Sequence, residues 1–381
     1  MKIVIIGGGN AGVWTALHYG YWTRNNKDIE VELIHNPEID TFPVGQGTGL
    51  NVVELLWFAC GTDWYHNEIR ATPKFGVLYE NFSKKNKNIF HNFNFQGVAM
   101  QVDPKYLQKY ILNSGLFTVK EGNIIDLDTA DADVIFDCRG NTKTDDVEYE
   151  SLYCPVNSVL LAISTMHDST QNWTRSVATP DGWTFVIPNT TETTSYGYLY
   201  NSDITPLETA QTNFSELFGK EFPNEIKTVN LPFESYMAKE PLRIDSNGRK
   251  IILNGNRLAF LEPMEATAIS FYLNIARITF DEIIEKTIET HNTNFQIKNK
   301  MHEIHTFISW HYVNGSIYDT PFWNEAQTKT NIMFENIDKN FKDVVNTVKS
   351  LNYVECRDDT SGYGIWPTYS IKNWYEGYIN S

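Results

Sequence analysis

The chain has 381 residues, 41% hydrophobic and 20% charged, which excludes intrinsic disorder as its main state and allows a large core. Its formal charge of −16 disfavours phosphate backbones, so no nucleic-acid partner is expected. Cys60, Cys138, Cys154 and Cys356 share no C-x-x-C spacing, so free thiols and a reducing, cytoplasmic setting are expected. In chain order, Lys2 to Ile6 is a nearly continuous apolar run, as befits a strand covered on both faces. Glycines interrupt it at once, so it does not read as a signal-peptide core. No later stretch is apolar for 18 residues or more, so no membrane span is expected.

Gly7, Gly9 and Gly12 form G-x-G-x-x-G between that strand and a helix expected over Val13 to Trp22. The spacing suits a tight turn, a close approach of pyrophosphate to the backbone, and close packing of helix on strand. Asn10 and Ala11 lie inside the same turn, where the helix start offers N–H donors. A second strand is expected at Glu30 to Ile34. Its end carries His35 where an acid for ribose hydroxyls is usual, and a histidine can also bond a hydroxyl. Further strands are expected at Ile89 to Phe95, Gly97 to Val102, Val134 to Asp137, Val159 to Ser164, Trp183 to Ile187, Ser195 to Tyr200 and Lys250 to Leu253. Helices are expected at Pro104 to Asn113, Leu207 to Phe218, Thr267 to Thr290, His302 to Val313 and Asn331 to Ser350. The polar run Ser83 to Asn88 reads as a hairpin tip.

Two more elements resemble nucleotide-binding edges. Asp133-Val134-Ile135-Phe136-Asp137-Cys138-Arg139-Gly140 is an apolar strand running into a polar glycine turn, and Ile251-Ile252-Leu253-Asn254-Gly255-Asn256 is another. Asp137 and Gly255 are therefore cofactor candidates. Elements spread so widely favour FAD over NAD, because FAD-binding folds also draw contacts from late in the chain. The expected class is α/β: an FAD-binding Rossmann-like module of glutathione-reductase type, interleaved with a mixed β-sheet and helical substrate module. The expected bounds are 1–150 with 245–290 for the FAD module, and 151–244 for the β-rich substrate module. Residues 291–381 form a helical, aromatic-rich region that completes the latter.

At Trp183-Thr184-Phe185-Val186-Ile187-Pro188 the chain resembles the W-x-W-x-I-P motif of flavin-dependent halogenases, with Phe185 for the second tryptophan. The glycine turn running into Trp14 is similar to that family's opening. Val44-Gly45-Gln46-Gly47-Thr48 resembles its V-G-E-x-T loop, with Gln46 for the acid. Thr72-Pro73-Lys74-Phe75-Gly76 resembles the segment with its catalytic lysine. Glu262-Pro263-Met264-Glu265-Ala266-Thr267-Ala268 is similar to E-P-L-E-S-T-G, with Ala266 for serine and Ala268 for glycine. His311-Tyr312 and Phe322-Trp323 resemble a late pair of the family. The resemblance to tryptophan-halogenase-like proteins runs to about residue 325, and the length is nearest to the compact halogenases of marine phages.

The resemblance implies an FADH2-dependent halogenase. FADH2 from a separate flavin reductase reacts with O2 and halide to give hypohalous acid, which halogenates a small electron-rich aromatic substrate. It implies Lys74 and Glu265 as catalytic, and Val44, Gly45, Gln46 and Thr267 beside the cofactor. Thru Thr267 and Ala268 the halide is held at a helix start, and Trp183, Phe185 and Pro188 act as a barrier along the tunnel. A lysine in either role, polarising hypohalous acid or forming a haloamine, must be partly buried. Two other readings share the glycine signals: a flavin monooxygenase without halide chemistry, and a non-catalytic flavin-binding protein. Trp183 and Phe185 also suit plain strand packing, and Glu265 also suits a helix N-terminus. His302, His305 and His311 complete no usual ligand set, so no metal is expected. The C-terminal aromatics Trp366, Tyr369, Trp374, Tyr375 and Tyr378 suit an arene pocket, a core or a subunit interface, and a homo-oligomer is expected.

Overall fold

The apolar run Lys2–Ile6 is a central strand, paired in parallel with Glu30–His35 on one side and Val134–Asp137 on the other. In this computed structural model, residues 1–39, 44–93, 97–124, 126–140, 143, 144, 146–168, 170–189, 192–335, 339–359 and 361–379 are described. The chain divides into two units. The first comprises Met1–Ala71, Val102–Leu152 and Glu234–Met301, and the second Thr72–Gln101, Tyr153–Phe233 and His302–Ser381. The expected bounds kept 72–101 in the first module. The strand Gly76–Glu80 pairs instead with Thr174–Thr179, so this segment belongs to the second unit.

The first unit is built on a six-stranded sheet ordered Leu242–Ile244, Lys250–Leu253, Val134–Asp137, Lys2–Ile6, Glu30–His35 and Thr118–Glu121. All pairings are parallel except the one between Leu242–Ile244 and Lys250–Leu253. Val4, Ile6, Ile135 and Ile251 form the core on one face with Leu127 and Ala130. The helix Asn10–Thr23 packs against the helix Thr267–Ile283, where Tyr19 Oη donates to Thr279 Oγ1 at 3.0 Å. The latter helix was expected to reach Thr290. It stops at Ile283, followed by a turn in which Lys286 takes a left-handed φ of 54° and the Thr287 amide bonds back to Asp281. A helix over Leu50–Cys60 was not expected. Gly49 stands before it, and Gly61 closes it in a left-handed conformation with its amide on the Trp57 carbonyl.

The second unit carries a seven-stranded sheet ordered Val229–Pro232, Ser158–Ser164, Thr194–Tyr200, Gly182–Pro188, Thr174–Thr179, Gly76–Glu80 and Asn88–Asn92. One face, with Leu160, Ala162, Val177, Val186, Tyr196 and Tyr198, packs on Ala210, Phe214 and Phe218 of the helix Leu207–Phe218. Gly76–Glu80 and Asn88–Asn92 pair as an antiparallel hairpin with the polar run 83–88 at its tip. The expected strand Ile89 to Phe95 ends at Asn92, and residues 94 and 95 lie outside the described residues. The helix expected from His302 begins at Thr290. The expected helix Asn331 to Ser350 is occupied by Pro321–Glu335 and Lys339–Ser350, with 336–338 outside the described residues. Pro321 opens the first of these, and the hydroxyl of Thr320 accepts from the Trp323 amide at 3.4 Å, a standard start signal. Trp366, Tyr369, Trp374 and Tyr378 are buried within this unit. Trp374 meets His311 at 3.9 Å between ring centroids, and Trp366 stacks on Phe307 at 3.9 Å. Among the described residues no helix is long and apolar enough to cross a membrane, and the four cysteines are free.

Candidate active site

In the first unit the three scattered glycine elements meet at one edge of the parallel sheet. Ile6 is in register with Ile34 and Asp137, and Asp137 with Leu253, so Gly7, His35, Cys138 and Asn254 leave the sheet at the same carboxyl edge. This is where open α/β sheets bind ligands. The turn demands its glycines. A Cβ on Gly12 would sit 1.8 Å from the Gly7 carbonyl oxygen, and one on Gly7 2.5 Å from that of Cys138. Gly9 differs, because a Cβ there meets nothing within 4 Å. Gly9 precedes the helix Asn10–Thr23, whose start has no side-chain cap on its first-turn amides. An uncapped helix start under an open glycine is a cradle that fits a pyrophosphate, and the residues present therefore fit a flavin dinucleotide.

Other cofactor candidates surround this turn. The His35 ring lies against Gly8, where a Cβ would come within 2.8 Å of the His35 Cβ. Asn10 Nδ2 donates to Gln46 Oε1, and Gln108 Nε2 donates to Asn10 Oδ1 at 3.0 Å, which ties the loop bearing Val44, Gly45 and Gln46 to the turn. Gly255, at φ 66°, lies so close to Ala11 that a Cβ would reach its methyl at 2.6 Å. Asn254 donates to Thr15 Oγ1 at 2.9 Å and to the Tyr272 carbonyl, and its Oδ1 accepts from the Gly255 amide. Asp137 is placed at this edge, but its buried carboxylate is taken by arginines. Arg139 Nε bonds it at 2.8 Å and Arg257 Nη2 at 2.9 Å. Burial alone would raise its pKa, and the Arg139 hydrogen bond with the charges of Arg257 and Arg139 holds it below the ordinary carboxylate value. Its side chain is thus a tie between the second and third glycine elements, and only its backbone faces the cradle's strand edge.

The segment before the helix Thr267–Ile283 is strained. Glu265 and Ala266 both take left-handed conformations, at φ 69° and 53°, which cost non-glycine residues of order 1–3 kcal/mol each. The helix start has no side-chain cap, Thr267 is buried and Ala268 is exposed. Ser270 donates to Asn51 Oδ1 at 3.0 Å and lies over Gly49, so this helix start adjoins the loop that follows Gln46.

In the second unit Lys74 ends the short strand Thr72–Lys74 and is 1% exposed. Its ammonium lies 5.5 Å from the centre of the Phe93 ring. The strand pairs with Ala99–Val102, Thr72 opposite Gln101 and Lys74 opposite Ala99. Trp183 and Phe185 occupy one face of the strand Gly182–Pro188, with ring centroids 6.3 Å apart. The Phe185 ring crosses Gly197 on the neighbouring strand, where any Cβ would strike it at 2.1 Å. Thr174, Ser176 and Ala178 continue this face. Pro188 has the opposite parity, so it does not join the two rings, and its carbonyl accepts from Thr72 Oγ1 at 3.5 Å. Gln101 was not foreseen: it is fully buried, and its Oε1 accepts from Thr174 Oγ1 at 3.3 Å. Nothing in its local sequence marks it, since the strand register alone brings it to Lys74. Among the described residues no three His, Cys, Asp or Glu side chains gather as a metal set.

The tryptophan halogenase family matches residues 2–116 and 117–360. Tryptophan 7-halogenase RebH of Lentzea aerocolonigenes is 26% identical over 224 residues, 53% of this chain and 40% of RebH. Tryptophan 6-halogenase ThaL of Streptomyces albogriseolus is 26% identical over 174 residues, 43% of this chain and 31% of ThaL. The matched stretch thus spans less than half the length of either curated relative. The crystal structure of tryptophan 6-halogenase SttH from Streptomyces toxytricini superposes with a TM-score of 0.80 at 17% identity, covering 99% of this chain and 90% of that one. BrvH, a flavin-dependent halogenase from Brevundimonas sp. BAL3, does so at 0.78 and 15%, with the same coverage. These structures share the fold, and the family match runs through both units almost from end to end. The chain belongs to the tryptophan halogenase family.

Proposed function

We propose that the protein is a flavin-dependent halogenase that uses FADH2 from a separate flavin reductase, O2 and halide to halogenate a small electron-rich aromatic substrate. When bound, the reduced flavin supplies the two electrons and two protons with which O2, halide and one further proton become hypohalous acid and water. The first-turn amides after Gly9, with Asn10, Ala11 and Gly12, hold the pyrophosphate, and His35 bonds the adenosine ribose. Val44, Gly45, Gln46 and Gly255 line the cofactor, as does Thr267. The amides of Thr267 and Ala268 hold the halide at the helix start, where the dipole favours an anion.

Lys74 donates a hydrogen bond to hypohalous acid or carries the halogen as a haloamine. Its burial keeps water and stray nucleophiles away from the oxidised halogen. Glu265 takes the proton that the ring carbon loses after halogenation. The Trp183 and Phe185 rings keep the organic substrate from the flavin, which suppresses direct oxygenation. The exposed side chains of Trp57, Phe58, Trp64 and Tyr65 support the expectation of a homo-oligomer, which light scattering of the purified protein checks.

The observation that carries this reading is Lys74: a lysine 1% exposed, on a strand whose Thr72 bonds the Pro188 carbonyl at the end of Gly182–Pro188, in a chain of this family. Lys74→Ala is expected to abolish halogenation, read by mass detection across chloride, bromide and iodide, while FAD binding is kept. Parent-level product from that variant sinks the assignment. Omitting halide separates the halogenase from a monooxygenase, which would still oxidise its organic substrate.

A further inference from the structure

We propose that the side-chain amide of Gln101 is a second hydrogen-bond donor for the oxygen of hypohalous acid held at Lys74. This rests on the halogenase reading above and extends it to a residue outside the family motifs quoted for this chain.

Three observations carry it. Gln101 is 0% exposed, and its Nε2 has no hydrogen-bond partner among the described residues. A buried amide left without acceptors is costly, so such a group in a native fold calls for an explanation. Second, the register places the group. Thr72 is opposite Gln101 and Lys74 opposite Ala99, so Thr72, Lys74, Ala99 and Gln101 share one face. Gln101 and Lys74 are diagonal neighbours, roughly 7–8 Å apart at the backbone and within reach of long side chains. Third, the other half of the amide is anchored. Oε1 accepts from Thr174, which lies on the same face of its strand as Ser176 and next to Phe185, so Nε2 is turned away from that contact.

The chemistry suits this ligand. Hypohalous acid is small and neutral and offers one oxygen acceptor. Carboxamide nitrogen carries no basic lone pair, so it resists halogen transfer far better than a thioether or a thiol. Met100, the oxidisable neighbour, points to the opposite face of the strand. In the transfer step the arene carbon bonds the halogen as the oxygen–halogen bond breaks. The electron pair goes to oxygen, and the hydroxide so formed leaves as water with the arene's proton. Hydrogen bonds from Lys74 and Gln101 to that oxygen strengthen as charge builds on it.

The test compares Gln101→Leu, Gln101→Asn and Lys74→Ala with the parent, using bromide and indole as probes. Brominated indole, hypobromous acid escaping to a β-diketone trap, FADH2 oxidation and FAD affinity are all measured. Gln101→Leu is expected to lower product formation roughly tenfold, the loss of about one hydrogen bond, with more oxidant in the trap and unchanged FADH2 oxidation and FAD affinity. Gln101→Asn, which keeps the donor on a shorter arm, falls between. Parent-level product and leakage in Gln101→Leu, with Lys74→Ala inactive, overturn the role of Gln101 alone. A parallel fall in FADH2 oxidation and product marks a structural role and also overturns it. Parent-level product in Lys74→Ala, or none from the parent, overturns the underlying reading as well. Should Gln101→Leu fail to fold, Thr174→Val frees the amide from its anchor and is expected to raise leakage, and parent-level leakage there overturns the proposal.

Discussion

Gly9 and Gly12 stand three residues apart in one turn, and the structure assigns them opposite constraints. A methyl at Gly12 collides with the Gly7 carbonyl at 1.8 Å, whereas one at Gly9 enters open space above the helix start. Gly12→Ala is therefore expected to cost about 1–3 kcal/mol or more of stability in chemical denaturation, as overpacking against backbone does. Gly9→Ala should keep the parent's stability to within about 1 kcal/mol. It should nonetheless weaken FAD binding at least about tenfold in a fluorescence titration, because its methyl enters the space proposed for the pyrophosphate. If the two variants behave alike, the cradle is misassigned. At this scale the constraints on Gly7 and Gly12 were legible, and Lys74 and Glu265 stood out as candidates, since each sits in a contiguous signature. Gln101 and the tie between Asn10 and Gln46 were not, because each depends on a partner dozens of positions away. Asp137 shows the converse. Its place at a strand end was readable, but the claim of Arg139 and Arg257 on its carboxylate was not.

The helix Asn10–Thr23 illustrates what an element's setting does to its residues. It is buried on nearly all sides, and His18 lies in it against Phe280, with ring centroids 5.4 Å apart. Burial, helped by the charge of Arg277, lowers the His18 pKa to about 3. An unfolded histidine titrates near 6.5, so between pH 6.5 and about 3 the unfolded chain binds one more proton at this site than the folded chain. Stability is complete above pH 6.5 and falls below it, by about 1.4 kcal/mol per pH unit for one proton. His305, also lowered chiefly by burial, acts in the same direction. His18→Leu is expected to flatten the decline in urea midpoint between pH 7 and 5 by about one proton, and an unchanged slope counts against it. Other elements show where pattern reading stops. Leu50–Cys60 is apolar on most positions and lacks a helical stripe, yet Gly61 was a readable end signal. The overlong expectation for Thr267–Ile283 followed from continuous periodicity across a turn at Lys286 that no proline or glycine announces.

Across the whole molecule, the charge of −16 opposes the approach of any halide. If the helix start at Thr267 and Ala268 holds the halide, it works against the net field and only at short range. Raising ionic strength with an inert salt from about 10 to about 150 mM shortens the screening length from about 30 to about 8 Å. The KM for bromide is then expected to fall while kcat stays level, and a KM that rises with salt would falsify this account. The sequence by itself determined the α/β class, the parallel glycine-bearing strands, the family and the candidate residues Lys74, Glu265, Trp183 and Phe185. These depend on short-range pattern and on contiguous motifs, which one stretch of chain carries. Only the tertiary structure decided that segment 72–101 belongs with the second sheet, that Pro188 turns away from the Trp183 and Phe185 rings, and that Gln101 lies buried on the face of Lys74. Strand pairing between distant segments makes those choices, because a shift of one residue in register sends every side chain to the other face.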